Sequence, residues 1–304
     1  MNADPAPGRP GPSTVRIALV FPDLLGTYGD SGNAVILAQR LRWRGQPAEV
    51  VEVNAGGLVP DSCDLYVIGG GEDQPQSLAA RELNRQRSLH RAVERGAAVL
   101  AVCAGLQILG TTFVGPDDIE QTGLGLLDCS TVRGRGPRAV GELVVEPNPG
   151  TGLPLMTGYE NHGGVTILGP SNPALGQVHS GVGNGDDPGP TRPRVRSVNP
   201  RRGSTEGPLP APHGARRTDG AVNGRVWATY MHGPVLARNP VFADRLLELV
   251  TGPLSPLDDR ESEALRTERL RAAPGEASER RRVWGRAIMA TRGPGTLVGR
   301  RRAR

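Results

Sequence analysis

The sequence predicts an α/β fold in which a mainly parallel sheet is flanked by helices. Three observations carry that expectation: short apolar runs alternate with segments of helical spacing, glycine loops follow directly on those runs, and one run ends at a cysteine. Strands buried on both faces read as continuous apolar runs, and helices set between them make the connections parallel.

Residues 1–14 are polar and rich in Pro and Gly, and are expected to stay disordered. Val15–Phe21 is an apolar run with one Arg, closed by Pro22, and predicts the first strand. Gly26, Gly29 and Gly32 lead into Asn33–Arg44, where apolar residues at 34, 37, 38 and 41 recur at helical spacing. Val50–Val53 and Leu65–Ile68 predict further strands, the second running into Gly69-Gly70-Gly71. Gln76–Gly96 predicts one helix that stops at its glycine. Ala97–Val102 predicts a fully buried strand. Beyond Phe113, Val140–Val145, Tyr159–Leu168 and Gly224–Met231 are rich in β-branched or aromatic residues and predict strands, with Asn239–Val250 as a closing helix. From Gly181 to Gly220 nearly every third residue is Gly or Pro and no apolar period exists, so a disordered insertion is expected at 181–220. The folded domain is therefore expected over 15–252, and 253–304 should hold a helix from Asp258 to Ala272 and then a basic disordered tail.

Composition narrows the function classes. Hydrophobic residues are 37% of 304, and 43 Gly with 28 Pro add to the impression of a compact core joined to extended segments. No run approaches the roughly 18 apolar residues of a membrane span, and Met1–Pro12 lacks the apolar centre of a signal peptide, so a soluble cytoplasmic protein is expected. Cys63, Cys103 and Cys129 fit neither a disulfide framework nor zinc-ligand spacing, and no metal site is expected. The net charge of +5 is local: Ser255–Arg304 holds 13 Arg against seven acids, leaving the rest close to neutral. With aromatics at 3% and few of them among the basic residues, the stacking platform of a nucleic-acid binder is missing. The chain has no lysine, and hence no G-x-x-x-x-G-K-[ST] phosphate loop.

The segment that carries chemistry is Val99–Leu109. A buried strand stops at Cys103, Gly105 follows, and a helical pattern starts at once, which is the arrangement of a nucleophile elbow. A helix beginning there favours the thiolate, the attacking form. A buried core cysteine before a helix is the plain alternative. Gly70 and Gly71, with the Ala104 N–H, are candidates for an oxyanion hole, because a loop without Cβ atoms lets backbone donors approach. His232, in Tyr230-Met231-His232-Gly233-Pro234, ends a late strand about 130 residues after Cys103 and is the candidate base. His90 and His179 have no partners in sequence and are expected to be solvated; His213 falls in the insertion.

These features together resemble a class I glutamine amidotransferase domain. Tyr28-Gly29-Asp30-x-Gly32-Asn33, Ile68-Gly69-Gly70-Gly71, Cys103-x-Gly105-x-Gln107-x-Leu109-Gly110, Glu160-Asn161-His162-Gly163-Gly164 and Tyr230–Pro234 occur in the order found in the cobyric acid synthase type, and within it resemble the glutaminase subunits of lipid II isoglutaminyl synthases. The resemblance runs from about Val15 to Val250. It implies that Cys103 attacks the glutamine carboxamide with His232 as base, that Arg138 binds substrate, and that Gln107, Asn161 and His162 are candidates to line the glutamine pocket. Arg138 also reads as a surface arginine beside Arg133 and Arg135, and Glu160–Gly164 as a tight turn. The resemblance further implies no cofactor in this chain, ATP and Mg on a Mur-ligase-like synthetase partner in a heterodimer, and lipid II reached through that partner, with work at the inner face of the membrane.

Many class I amidotransferases place a glutamate two residues after the histidine, where this chain has Pro234. The acid that orients His232 must then lie far off in sequence or come from the partner, and the partner is favoured because it would couple ammonia release to assembly. An amidotransferase of corrin synthesis is the second reading, disfavoured because that enzyme is usually fused to an ATP-binding synthetase domain. A non-enzymatic α/β binding module is the third, and it predicts that Cys103 is dispensable.

Overall fold

A computed structural model of the chain describes residues 13–185 and 217–272. The expected disordered N-terminus up to residue 12, the insertion over 186–216 and the tail beyond Ala272 lie outside the described residues.

The apolar runs form the centre. β1 (Val15–Val20), β2 (Ala48–Val53), β3 (Leu65–Ile68), β4 (Ala98–Val102) and β14 (Val226–Thr229) are parallel, and β13 (Ala221–Asn223) joins antiparallel at one edge, in the order β13-β14-β4-β3-β1-β2. Every residue of β3, β4 and β14 is buried. The edge strand β2 exposes Glu49 and Glu52, charges that discourage pairing with another chain. The chain leaves β1 for β2 on one side and crosses back to β3 on the other. A crevice opens beyond the C-terminal strand ends at such a reversal, where α/β sheets place their sites.

Helix α1 (Gly32–Trp43) buries Ala34, Leu37, Ala38 and Leu41, as its spacing predicts, and packs on α5 (Val235–Arg238) and α6 (Pro240–Thr251). The single helix expected over 76–96 is instead two, α2 (Asp73–Gln86) and α3 (Ser88–Glu94). Arg87 between them sits at φ 56°, in the left-handed region, and its N–H bonds back to the Leu83 carbonyl, closing the first helix. His90 on α3 is buried and not solvated, with Nε2 2.8 Å from the Leu124 carbonyl. His179 is exposed, beside Glu146 at 2.8 Å.

Past α4 (Ala104–Leu109) the sheets turn mostly antiparallel, so the parallel character holds for the central sheet alone. β5 (Thr112–Val114), β6 (Glu120–Thr122), β7 (Cys129–Arg133) and β10 (Gly164–Leu168) make one sheet; β8 (Ala139–Pro147), β9 (Met156–His162), β11 (Gly176–Ser180) and β12 (Thr218–Asp219) make another. The strand expected over Tyr159–Leu168 breaks at Gly163, and its halves enter different sheets. Residues 181–185 and 217–220, expected inside the disordered insertion, belong to the fold. β12 pairs with β11, Glu160 accepts the N–H groups of Val182 and Gly183, and Asp219 is buried against Thr229 and Tyr230. No helix of the described residues is long and apolar enough to cross a membrane.

Helix α7 (Arg260–Ala272) matches the helix expected from Asp258 and is tied to the body rather than leading away from it. Arg40, buried on α1, chelates Asp244 of α6 at 2.6 Å and Asp259, just before α7, at 2.7 Å, and Arg266 donates to the Leu155 carbonyl. Arg44 adds a second guanidinium on Asp244 at 2.7 Å.

Candidate active site

Cys103 stands between β4 and α4 at φ 50° and ψ −103°, a conformation that costs a side-chain-bearing residue on the order of 1–3 kcal/mol. Two backbone bonds hold it there: its N–H donates to the Thr229 carbonyl of the neighbouring strand at 2.9 Å, and its carbonyl accepts from Gln107 at 3.2 Å. Gly105 completes the turn, since a Cβ there would stand 2.7 Å from the Ile68 carbonyl oxygen. The thiol is therefore aimed into the crevice beyond the strand ends. Cys63 and Cys129 are buried, and burial pushes their thiols up, that of Cys129 to about 12.

His232 follows β14, which pairs directly with β4, and its backbone is pinned by two bonds to Tyr159 of β9. Its Nδ1 lies 2.8 Å from Oδ2 of Asp30, a wholly buried carboxylate. Because a carboxylate only accepts, this contact places a proton on Nδ1 and leaves Nε2 for the chemistry. Nε2 makes no hydrogen bond within ordinary limits among the described residues. Burial opposes the imidazolium, yet Asp30 and the nearby Cys103 outweigh it and raise His232 from 6.5 to about 10. The orienting acid is thus in this chain, which corrects the expectation that a partner would supply it.

The Tyr28–Asn33 motif now has a physical reading, since Tyr28, Asp30, Gly32 and Asn33 each receive part of the histidine segment. Asp30 holds His232; Gly32 leaves room for Pro234, whose ring carbon would be 2.5 Å from a Cβ; Asn33 accepts the Leu236 N–H at 3.1 Å. Tyr28 stands edge-on to the His232 ring at 5.0 Å.

Gly70 does not serve as expected. Its N–H donates to Asp30 Oδ2 at 2.8 Å, and it is glycine because a Cβ would fall 2.4 Å from His232 Cε1. The backbone donors left on the cleft wall are those of Gly71 and Ala104, which line it together with Cys103.

Of the expected pocket residues, Gln107 and His162 line the cleft, along with Gln76, Arg133 and Arg138. Gln107 accepts from Gln76 Nε2 at 2.9 Å and donates to the Tyr230 hydroxyl at 3.2 Å. His162 stacks on Tyr230 with ring centroids 3.8 Å apart. Asn161 is not among the lining residues and works behind them. Its Oδ1 accepts from Arg138 Nε at 2.5 Å, its carbonyl accepts from Arg138 again at 3.2 Å, and its Nδ2 donates to the Tyr28 hydroxyl. Glu160–Gly164 is therefore more than a turn: successive side chains hold the 182–183 loop, Arg138 and the pocket wall. Asp30 is the residue that sequence reasoning missed, although it stands inside a motif already singled out; its distance of 202 positions from His232 hid the pairing.

Residues 16–240 match the sequence model of the CobB/CobQ-like glutamine amidotransferase domain. The GatD subunit of the glutamine-hydrolysing lipid II isoglutaminyl synthase of Staphylococcus aureus is 34% identical over 74% of this chain and 80% of its own length. Its Streptococcus pneumoniae counterpart is 27% identical over 78% of this chain and 80% of its own. A probable cobyric acid synthase of Methanoregula boonei is 32% identical over 66% of this chain, which corresponds to 35% of that enzyme.

Proposed function

The chain belongs to the family of CobB/CobQ-like glutamine amidotransferase domains, and on that premise we propose that Cys103 and His232 hydrolyse glutamine to glutamate and ammonia. The observation that best supports this is the strained Cys103 beside an imidazole whose far nitrogen is tied to buried Asp30.

Cys103 attacks the side-chain carboxamide carbon as the thiolate, its proton held on His232 Nε2. The developing oxyanion takes hydrogen bonds from the Gly71 and Ala104 N–H groups; losing one such donor typically costs about 10²–10³ in rate. His232 gives the proton to the departing nitrogen, so ammonia leaves and a γ-glutamyl thioester remains. The imidazole then takes a proton from water, the hydroxide adds to the thioester, and glutamate departs as the thiol is restored. Arg138 binds the substrate α-carboxylate. It is the cleft arginine without an acidic partner among the described residues, whereas Arg133 is closely paired with Asp118.

The relatives matched over 80% of their length are subunits of lipid II isoglutaminyl synthase. This chain is read in the same way, as the glutaminase subunit of a heterodimer. Ammonia passes to a Mur-ligase-like partner that uses ATP and Mg²⁺ to amidate the D-glutamate of lipid II, at the inner face of the membrane. A place in corrin synthesis has weaker support, since the chain spans 35% of the cobyric acid synthase it resembles.

Ammonia release from glutamine by the full chain tests the chemistry, and isoglutamine formation on lipid II with the partner and ATP tests the pathway. Cys103→Ala should abolish ammonia release while Cys63→Ala and Cys129→Ala retain it. Hydrolysis that survives Cys103→Ala would sink the mechanism.

A further inference from the structure

The cleft carries one charged group for which the hydrolysis at Cys103 has no use. Its lining includes two guanidinium groups, on Arg133 and Arg138, and a single carboxylate, on Asp73. The Asp73 side chain is half-exposed and accepts no hydrogen bond among the described residues; its ion pair with Arg133 is long, at 3.6 Å. Arg133 is meanwhile engaged more closely by Asp118. Asp73 opens α2 two residues after Gly71, so the segment that presents the oxyanion donor also fixes where this carboxylate stands.

A free α-amino acid brings an anion and a cation on one carbon, and the cleft offers one guanidinium without an acid partner and one loosely engaged carboxylate. Building on the glutaminase reading above, we propose that Asp73 binds the α-ammonium group of glutamine while Arg138 binds its α-carboxylate. Asp73 is then a specificity residue: it selects free glutamine over γ-carboxamides whose α-nitrogen is missing or tied up in a peptide bond. The arrangement also sets the direction of the substrate, because fixing both charges of the α-carbon leaves the carboxamide to reach toward Cys103, which lines the same cleft.

The test is calorimetric binding to the full chain carrying Cys103→Ala, with glutamine and with glutaramate, which is glutamine without its α-amine. The preference for glutamine should be about tenfold to a hundredfold, the range of a hydrogen bond between charged groups. Asp73→Asn should remove that preference by weakening glutamine alone, and Asp73→Glu should restore part of it. The same preference in the Asn variant, equal weakening of both ligands, or no binding of glutamine at all would each overturn the assignment. Ammonia release by the unmodified chain is scored separately. Unchanged preference in a chain that hydrolyses glutamine defeats this inference alone, and Asp73-dependent binding without hydrolysis defeats the glutaminase reading alone.

Discussion

Asp30 and His232 are 202 positions apart in the chain and 2.8 Å apart in the fold, carboxylate oxygen to Nδ1, with both side chains buried. The acid that orients the imidazole comes from the loop after β1, not from the position two beyond the histidine. Pro234 occupies that position and packs into the space left by Gly32. The imidazole and its support are thus carried by the loops that follow β14 and β1, strands separated in the sheet by β4 and β3, and are joined by a bond that exists only once the parallel sheet has formed.

Asp30→Asn should lower kcat for glutamine hydrolysis by about 10²–10⁴-fold with a smaller change in KM, because the amide can hold the wrong tautomer and gives no charge to balance the imidazolium. The loss should be the same with and without the synthetase. Steady-state ammonia release under both conditions is the measurement, and near-normal kcat in the variant once the partner is added would return the orienting role to the partner.

Gly70→Ala probes the same contact from the other side. A methyl group there meets His232 Cε1 at 2.4 Å and Asp30 Oδ2 at 3.2 Å, so the ring must move off the line between Asp30 and Cys103. Activity should drop by at least about 10²-fold, since small misplacements of reacting groups carry penalties of that size. Far-ultraviolet circular dichroism should remain that of the parent chain, and activity within a factor of two or so would refute the steric argument.

The parallel sheet is readable in the sequence because strands buried on both faces leave little room for anything but apolar residues, and Leu65–Ile68 has the expected bounds to the residue. The helix break at Arg87 is not readable in this way. One residue in the left-handed region changes the direction of the chain while the apolar spacing continues across it. Gly163 hides a similar event, since β-forming residues on its two sides serve different sheets. At the site, the elbow at Cys103 is a local pattern and can be seen in one stretch. The commitment of the Gly70 N–H to Asp30, and the support of Arg138 by Asn161, are through-space pairings that no local pattern encodes.

The coupling of His232 to its neighbours should appear in the pH dependence of stability. Burial disfavours the charged ring, but Asp30 and Cys103 carry it from 6.5 to about 10. A group raised on folding binds its proton more tightly in the native state, so its contribution is fully present below about pH 6.5, declines as pH rises, and is gone above about pH 10. Thermal midpoints measured across that window should fall with pH in the parent chain and fall less steeply in His232→Gln. Parallel profiles would show that the imidazole titrates near its ordinary value.

The sequence reads the C-terminal segment as a helix from Asp258 to Ala272 followed by a basic tail, and the fold ties that helix to the body. Asp259 bonds to buried Arg40 at 2.7 Å, Arg44 donates to the Ser255 carbonyl at 2.6 Å, and Arg266 reaches the Leu155 carbonyl, so α7 and the strap before it are part of the body. A chain that ends at residue 254 should therefore be less stable than one that ends after Ala272. Asp259→Asn isolates the strongest of these contacts. Arg40 keeps Asp244, so the loss is that of one charged hydrogen-bonding partner, about 1.5–3 kcal/mol, and not that of an unpaired buried charge. Urea unfolding of the parent chain, the two truncations and Asp259→Asn would measure each step. Equal stability of the chains ending at 254 and at 272 would mean that the Arg40 contacts are matched by water once the strap is removed.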